Sequence, residues 1–447
     1  MLASTLTIVT DLIREAANPL TGSSSDYDSL LAHIGEAHLV LLGEASHGTH
    51  EFYRERARIT KRLILEKGFS AIAVEADWPD AYRVNRYVQG DNTDSDAVQS
   101  LSGFKRFPAW MWRNADVLDF VGWLRTHNDS LRYDDRIGFY GLDLYSLHAS
   151  MECVLRYLDQ IDPEAARRAR NRYACFEEFG DDPQSYGYAA GLGLRPTCEN
   201  EAISQLMDLQ RSSLRYARMD GLVALERFFD AEQNARVVKD AEEYYRSMFR
   251  SSVSSWNLRD QHMMGTLVAL TEQHSRQQAP AKMVIWAHNS HIGDARATTM
   301  GQAGELNIGQ LVRQRYGDDC RNIGFTTYSG TVTAASDWDG PAERKQVRKA
   351  RPDSYEALLH EVAIPAFTLN MEKGSHVTDG LTEPMLERAI GVVYRPESEL
   401  ASHYFHASLS EQFDAVIHVD ETRSVKPLEP IGENAFGEPA ETFPSGV

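Results

Sequence analysis

An apolar run that stops on a glycine and passes at once into acid, hydroxyl and imidazole can be folded in few ways. Val40-Leu41-Leu42-Gly43-Glu44-Ala45-Ser46-His47-Gly48-Thr49-His50-Glu51 is such a stretch. After it, Phe52 to Lys67 places Phe52, Ile59, Leu63 and Ile64 at near-helical spacing and meets a glycine at Gly68. The segment therefore reads as a buried strand, a polar turn and a helix. Ala71-Ile72-Ala73-Val74-Glu75 then repeats the strand pattern. Two strands joined through one helix make a βαβ unit, and the economical arrangement is a parallel sheet.

The pattern recurs along the chain. Short helices are expected at 6–16 and 26–35, ahead of a first strand at 37–42. The stretch 80–132 reads as mostly helical, and Ile137 to Gly141 as a third strand ending in Leu142-Asp143. From 146 to 275 the sequence is helical throughout, interrupted at 180–183 and 187–196. Strands resume at 282–287, which runs into His288-Asn289-Ser290-His291, and at 322–327, 391–394 and 415–419. The stretch 331–350, with Asp337-Trp338-Asp339-Gly340, reads as a surface loop. The expected fold is α/β: a mainly parallel central sheet flanked by helices, with the 146–275 helices as an insertion, or lid, over the carboxyl edge. We expect one such domain over 1–423 and a flexible tail over 424–447, where periodicity gives way to Pro, Gly and Glu.

Charge narrows the function. A formal net charge of -19 argues against nucleic acid or an anionic membrane as partner. No apolar run of 18 residues is present, and Met1 to Leu20, with Asp11 and Glu15, does not resemble a secretory signal. The four cysteines, Cys153, Cys175, Cys198 and Cys320, form no CxxC pair. They are expected as free thiols of a cytoplasmic protein. Oligomeric state is left open.

Several apolar strands end in reactive side chains: Glu44 with His47, Glu75, Asp143, and His288 with His291. Parallel strands align their carboxyl ends, so these groups are expected to converge at the sheet edge where α/β proteins bind ligands. No G-x-S-x-G elbow, P-loop or complete Rossmann glycine motif is present, and His50-Glu51 and His360-Glu361 lack the second histidine of a zinc-protease helix. Two chemistries remain. In one, a histidine removes a proton from water that attacks a carbonyl, with a carboxylate fixing its tautomer. In the other, Glu44, His47, Glu75, His288 and His291 ligate a metal that activates the water. A non-catalytic small-molecule binder is a third possibility, less economical because it needs no matched acids and bases.

His47, in a turn and not on an apolar face, is the leading base. Glu75 and His288 each follow an apolar run, so each is expected part-buried and paired. His291, His50, Trp110 and Asp143 are candidate substrate contacts. For Asp143 a structural role, accepting backbone N–H groups of the next turn, carries more weight; Trp112 is expected to pack the helical layer, and Tyr244, Tyr245 and Trp256 to belong to the lid.

Gly43-Glu44-Ala45-Ser46-His47-Gly48, Ala73-Val74-Glu75-Ala76-Asp77 and Ala287-His288-Asn289-Ser290-His291, in this order and spacing, resemble the erythromycin esterase family. Phe107 to Arg113, Gly141-Leu142-Asp143 and Met300-Gly301 match it as well. The resemblance spans roughly residues 30 to 420 and implies hydrolysis of a carboxylic ester, such as a macrolide lactone, without metal or other cofactor. It implies His47 as the base, Glu44 and Glu75 as its tuning carboxylates, His288 as a second essential imidazole, and Arg56 as a basic residue near the site. The implied partner is a small-molecule ester.

Overall fold

The computed structural model describes residues 2–180, 182–217, 221–249, 251–275 and 280–429. Its strands are β1 (Asn18–Pro19), β2 (Leu39–Leu42), β3 (Ala71–Asp77), β4 (Gly138–Asp143), β5 (Met283–Trp286), β6 (Cys320–Ala334), β7 (Glu343–Val347), β8 (Ala366–Asn370), β9 (Met385–Arg388), β10 (Tyr404–Ala407) and β11 (Ala415–Thr422). Among the described residues nine form one sheet, in the order β1-β8-β11-β6-β2-β5-β3-β4 with β7 attached to β6; β9 and β10 pair separately. From β11 to β4 every pairing is parallel, while β8, β1 and β7 join antiparallel. The fold is thus α/β, with a central, mostly parallel sheet flanked by helices.

Both faces of the sheet are covered, which is why its strands read as unbroken apolar runs. Val40, Leu42, Ile72 and Val74 enter one core cluster, with Phe52 and Ile59 of the helix His50–Lys67. Leu39, Leu41, Ala71 and Ala73 enter the other. That helix ends as its sequence requires, on Gly68 at φ 71°, the left-handed cap a glycine adopts most readily.

The chain visits the sheet out of spatial order. It passes from β2 to β3 and β4, and β5 later slots between β2 and β3. The carboxyl ends of β2, β5, β3 and β4 are therefore neighbours. Between β4 and β5 runs the expected helical insertion, with helices Leu147–Ile161, Pro163–Tyr173, Pro183–Gly191, Glu199–Ala217, Gly221–Met248 and Ser252–Ser275. Leu147, Val154, Phe176, Tyr186, Val238 and Tyr245 belong to an apolar cluster of its own. Its last helix returns to the sheet, where Met263, Leu267 and Leu270 join the main core.

Four expectations need correction. Residues 391–394 form no strand, although β-branched; they run beside the first polar turn and the end of β6, making single parallel bridges at Ser46–Ile390 and Ala335–Val393. The stretch 331–350 is no simple surface loop, because β6 continues to Ala334 and pairs with β7, confining the loop to the turn between them. The start of the expected tail is built in: Val425 is buried, its N–H bonds Gly48 O at 2.9 Å, and its carbonyl accepts Thr333 Oγ1 at 2.8 Å. The rest of that tail, 430–447, lies outside the described residues. Cys175 and Cys198 form a disulfide, leaving Cys153 and Cys320 free. The inference of a thiol-only, reducing environment therefore loses its basis.

Candidate active site

The turn after β2 presents His47. Its Nδ1 lies 3.0 Å from Glu44 Oε1, and the other oxygen of Glu44 accepts Arg56 Nη2 at 2.8 Å. All three are buried. The Arg56 guanidinium lies 4.4 Å from the centre of the Tyr53 ring and 5.1 Å from that of Trp286. Two aromatic faces beside it suit a weakly hydrated planar cation. Arg56 so compensates the charge that Glu44 needs in order to hold the imidazole.

The turn after β5 supplies the second imidazole. His288 N–H donates to Glu75 Oε2 at 2.8 Å. Its ring packs 4.7 Å from that of His47, and its Nδ1 lies 2.8 Å from Ser290 Oγ. Burial, helped by the neighbouring His47, pushes His288 well below the ordinary histidine range. That environment disfavours the imidazolium form of His288. The two turns are tied together by Asn289 N–H, which donates to Glu44 O at 2.9 Å.

The ends of β3 and β4 add the acids. Glu75 and Asp143 converge on one cation, Arg259 of the helix Ser252–Ser275. Arg259 Nη2 donates to Glu75 Oε1 at 2.7 Å and to Asp143 Oδ2 at 2.6 Å, and its Nε to Asp143 Oδ1 at 3.0 Å. Burial works against the charged form of Glu75, yet His291, Arg259 and His47 hold its carboxyl well below the usual range. Asp143 is likewise lowered by Arg259 against its burial, and also accepts the Leu144 N–H at 2.9 Å. The expected backbone role is present, together with an ion pair that the sequence did not announce. Beside it, Asp77 accepts Arg106 Nε at 2.9 Å and the Tyr145 N–H at 3.1 Å.

These groups form the floor of a cavity of about 670 Å³. His47, Glu75, Asp143 and Arg259 line it from below; Phe107, Trp112, Tyr145, Tyr244, Trp256 and Trp338 contribute to its walls. Glu44, Arg56, His288 and His291 lie behind the lining. Trp110 is buried off the cavity, whereas Trp112 both packs in the helical layer, against Tyr53 and Phe104, and lines the cavity, donating Nε1–H to Glu75 O at 3.2 Å. His50 is not in the lining either; its Nδ1 pairs with Asp116 at 2.9 Å. Arg259, Asp260, Asp77 and Arg106 are the members that sequence reasoning missed. The one available signal was the i, i+3, i+4 spacing of Trp256, Arg259 and Asp260 on a helix.

The same residues make a poor ligand set. Both ring nitrogens of His291 are engaged, by Asp260 and by Arg259, and Nδ1 of His288 is engaged by Ser290. A guanidinium already occupies the meeting point of Glu75 and Asp143. Among the described residues no three His, Cys, Asp or Glu side chains are grouped to hold a metal ion.

One imidazole and two carboxylates on the floor of an aromatic cavity, backed by further imidazoles at the carboxyl edge of a parallel sheet, give an α/β protein the makings of a hydrolase. Residues 64–422 match the model of the erythromycin esterase family, so the chain belongs to that family. The match takes in Glu75, Asp143, Arg259, His288 and His291 and begins after Glu44, His47 and Arg56. The chain is 24% identical over 322 residues to the erythromycin esterase type II of Escherichia coli, covering 69% of this chain and 73% of that protein. Its fold is similar to that of a succinoglycan biosynthesis protein (TM-score 0.75, 21% identity, 95% of this chain and 99% of the other). It is similar also to a mutant of the erythromycin esterase EreC in its open conformation (TM-score 0.63, 17% identity, 91% and 96%). Family membership supports hydrolase activity of the esterase type on a small-molecule substrate. Among the described residues no helix is long and apolar enough to cross a membrane.

Proposed function

We propose that the protein hydrolyses a carboxylic ester, of the macrolide-lactone type, using water activated by His47 without a metal. The observation that carries this reading is the polarity of the His47 ring. Nδ1 is committed to buried Glu44, itself neutralised by Arg56, while the residue lines the cavity. Nε2 is then the nitrogen that takes a proton from water. The water oxygen bonds to the ester carbonyl carbon, and the oxyanion is met by the Arg259 guanidinium on the cavity floor. As the tetrahedral intermediate collapses, the carbon–alkoxide bond breaks and the imidazolium returns its proton to the leaving alkoxide. Acid and alcohol result, and in a lactone both stay on one chain. A large cavity with aromatic walls supports a bulky, mostly apolar substrate.

A macrolactone panel read by mass spectrometry, with and without a chelator, tests this. The expected product is ring-opened, heavier by one water, and formed equally in chelator. His47→Ala is expected to lower kcat by roughly 10² to 10⁴ while leaving the circular dichroism unchanged. Retained turnover in that variant removes His47 as base. Loss of product in chelator transfers the same residues to the role of metal ligands.

A further inference from the structure

The last helix of the insertion carries two oppositely charged neighbours, one in the cavity floor and one beneath it. Asp260, next to Arg259, is fully buried. Its oxygens lie 3.0 and 2.9 Å from His291 Nδ1, and Oδ1 also accepts the Ile308 N–H at 2.8 Å. Trp256, one turn earlier, stacks on the His291 ring with centroids 4.5 Å apart and planes 8° from parallel. One helix therefore fixes this imidazole both in its plane and across it. The far edge of the ring, Nε2, is 2.9 Å from Arg259 Nη1 and 3.4 Å from Glu75 Oε1.

Those two partners make opposite demands. A guanidinium only donates, so its contact needs the lone pair of Nε2; an ionised carboxylate only accepts, so its contact needs an Nε2 proton. The neutral ring protonated at Nδ1 satisfies Arg259, and the imidazolium satisfies Glu75. Either form keeps Nδ1–H directed at Asp260.

We propose that Asp260 is a positioning residue of the cavity floor: by fixing Nδ1 of His291 as the donor, it leaves Nε2 to alternate between Arg259 and Glu75 as the ring gains and loses its second proton. Helix Ser252–Ser275 is then part of the site's machinery, beyond its place as a cover. The esterase reading is needed for the effect on turnover, though not for the effect on His291.

The charged and titratable groups facing His291 are Asp260, Arg259 and Glu75, with His288 and Glu305 beyond them. Burial opposes the imidazolium, but Asp260 and Glu75 outweigh it and push His291 up to about 9, with Arg259 working the other way. Glu305 is itself raised by its partial burial, and burial disfavours the imidazolium form of His288.

Side-chain ¹⁵N NMR of the histidines in the full chain, followed over pH, tests the proposal in the wild-type protein and in Asp260→Asn. The asparagine keeps an oxygen for Ile308 N–H and removes the charge. The expected result is a His291 midpoint above 6.5 in the wild type. In Asp260→Asn the midpoint falls by roughly one to three pH units and the neutral ring moves to the Nε2–H tautomer. The pH profile of kcat/KM shifts in the same direction, and Asp260→Glu restores part of it. An equal midpoint in the two proteins overturns the proposal, and so does a wild-type midpoint at or below 6.5, which no misfolding of the variant can obscure. A wild-type protein that cleaves no ester removes the esterase reading alone, since the titration stands without turnover.

Discussion

Arg56 and Glu44 form an ion pair wholly inside the protein. Both are fully buried, 2.8 Å apart, and the guanidinium turns its remaining surface to Tyr53 and Trp286. Two of its nitrogens, Nε and Nη1, have no hydrogen-bond partner; the ring faces stand in for one. Arg56→Ala would leave the Glu44 carboxylate buried without its ion-pair partner, which typically costs about 3–5 kcal/mol. Arg56→Lys keeps the charge but loses the planar stack and the fixed fork, so an intermediate loss is expected. Urea unfolding of the two variants checks the order, with a lysine variant as damaging as the alanine one counting against the stacking argument. His47, Glu75 and His288 were legible in the sequence because each sits where an apolar run breaks into a polar turn. Asp260 and Arg259 were not, because a charged pair on a long helix reads as a solvated face until the fold turns that face inward.

The turns between strand and helix are held by backbone approach as much as by side chains. At Gly48 an added Cβ would stand 1.8 Å from Thr333 O and 2.7 Å from the same carbonyl carbon. Gly48 O in turn accepts the N–H groups of Thr333 and Val425, at 3.0 and 2.9 Å. Those contacts place the far end of β6 against the turn that presents His47. Gly48→Ala must push backbone from backbone, with no flexible side chain to yield, and backbone shifts of this kind cost typically about 1–3 kcal/mol. The expected outcome is a folded protein with reduced stability and a larger loss in kcat than in KM, measured by thermal unfolding and steady-state kinetics. Unchanged kcat would mean that the turn tolerates the shift without moving His47. At this scale the sequence was most informative for the parallel strands, whose apolar runs match the doubly covered sheet. It was least so at Gly391-Val392-Val393-Tyr394, where β propensity is overridden because the run that starts at Ile390 pairs first with Ala45 and Ser46 and then with Ala335. Val392 and Val393 are spent on the cavity wall instead.

Across the whole molecule, the cavity is assembled from segments that no local pattern joins. The floor comes from three strand ends and one insertion helix, with a fourth strand end behind it, and part of the wall from the loop between β6 and β7. Trp338 on that loop meets Phe107 edge-on at 5.8 Å, and Asp337 beside it pairs with Arg395. The loop thus brings an indole to a cavity whose chemistry lies some 290 positions earlier and 50 earlier in the chain, at His47 and His288. Trp338 is only half-buried, as suits a wall completed by its ligand. If about 60 Å² of its ring is covered by a bulky lactone, truncation forfeits about 1.5 kcal/mol, or roughly tenfold in binding. Trp338→Ala is therefore expected to raise KM for a macrolactone about tenfold while leaving kcat nearly unchanged, because the residue binds without touching the proton path. A small aryl ester that reaches only the floor should be hydrolysed equally well by both proteins. Should both substrates lose kcat in equal measure, Trp338 would be shaping the floor through Phe107 and the Asp337–Arg395 pair, and the wall would belong to the catalytic geometry itself.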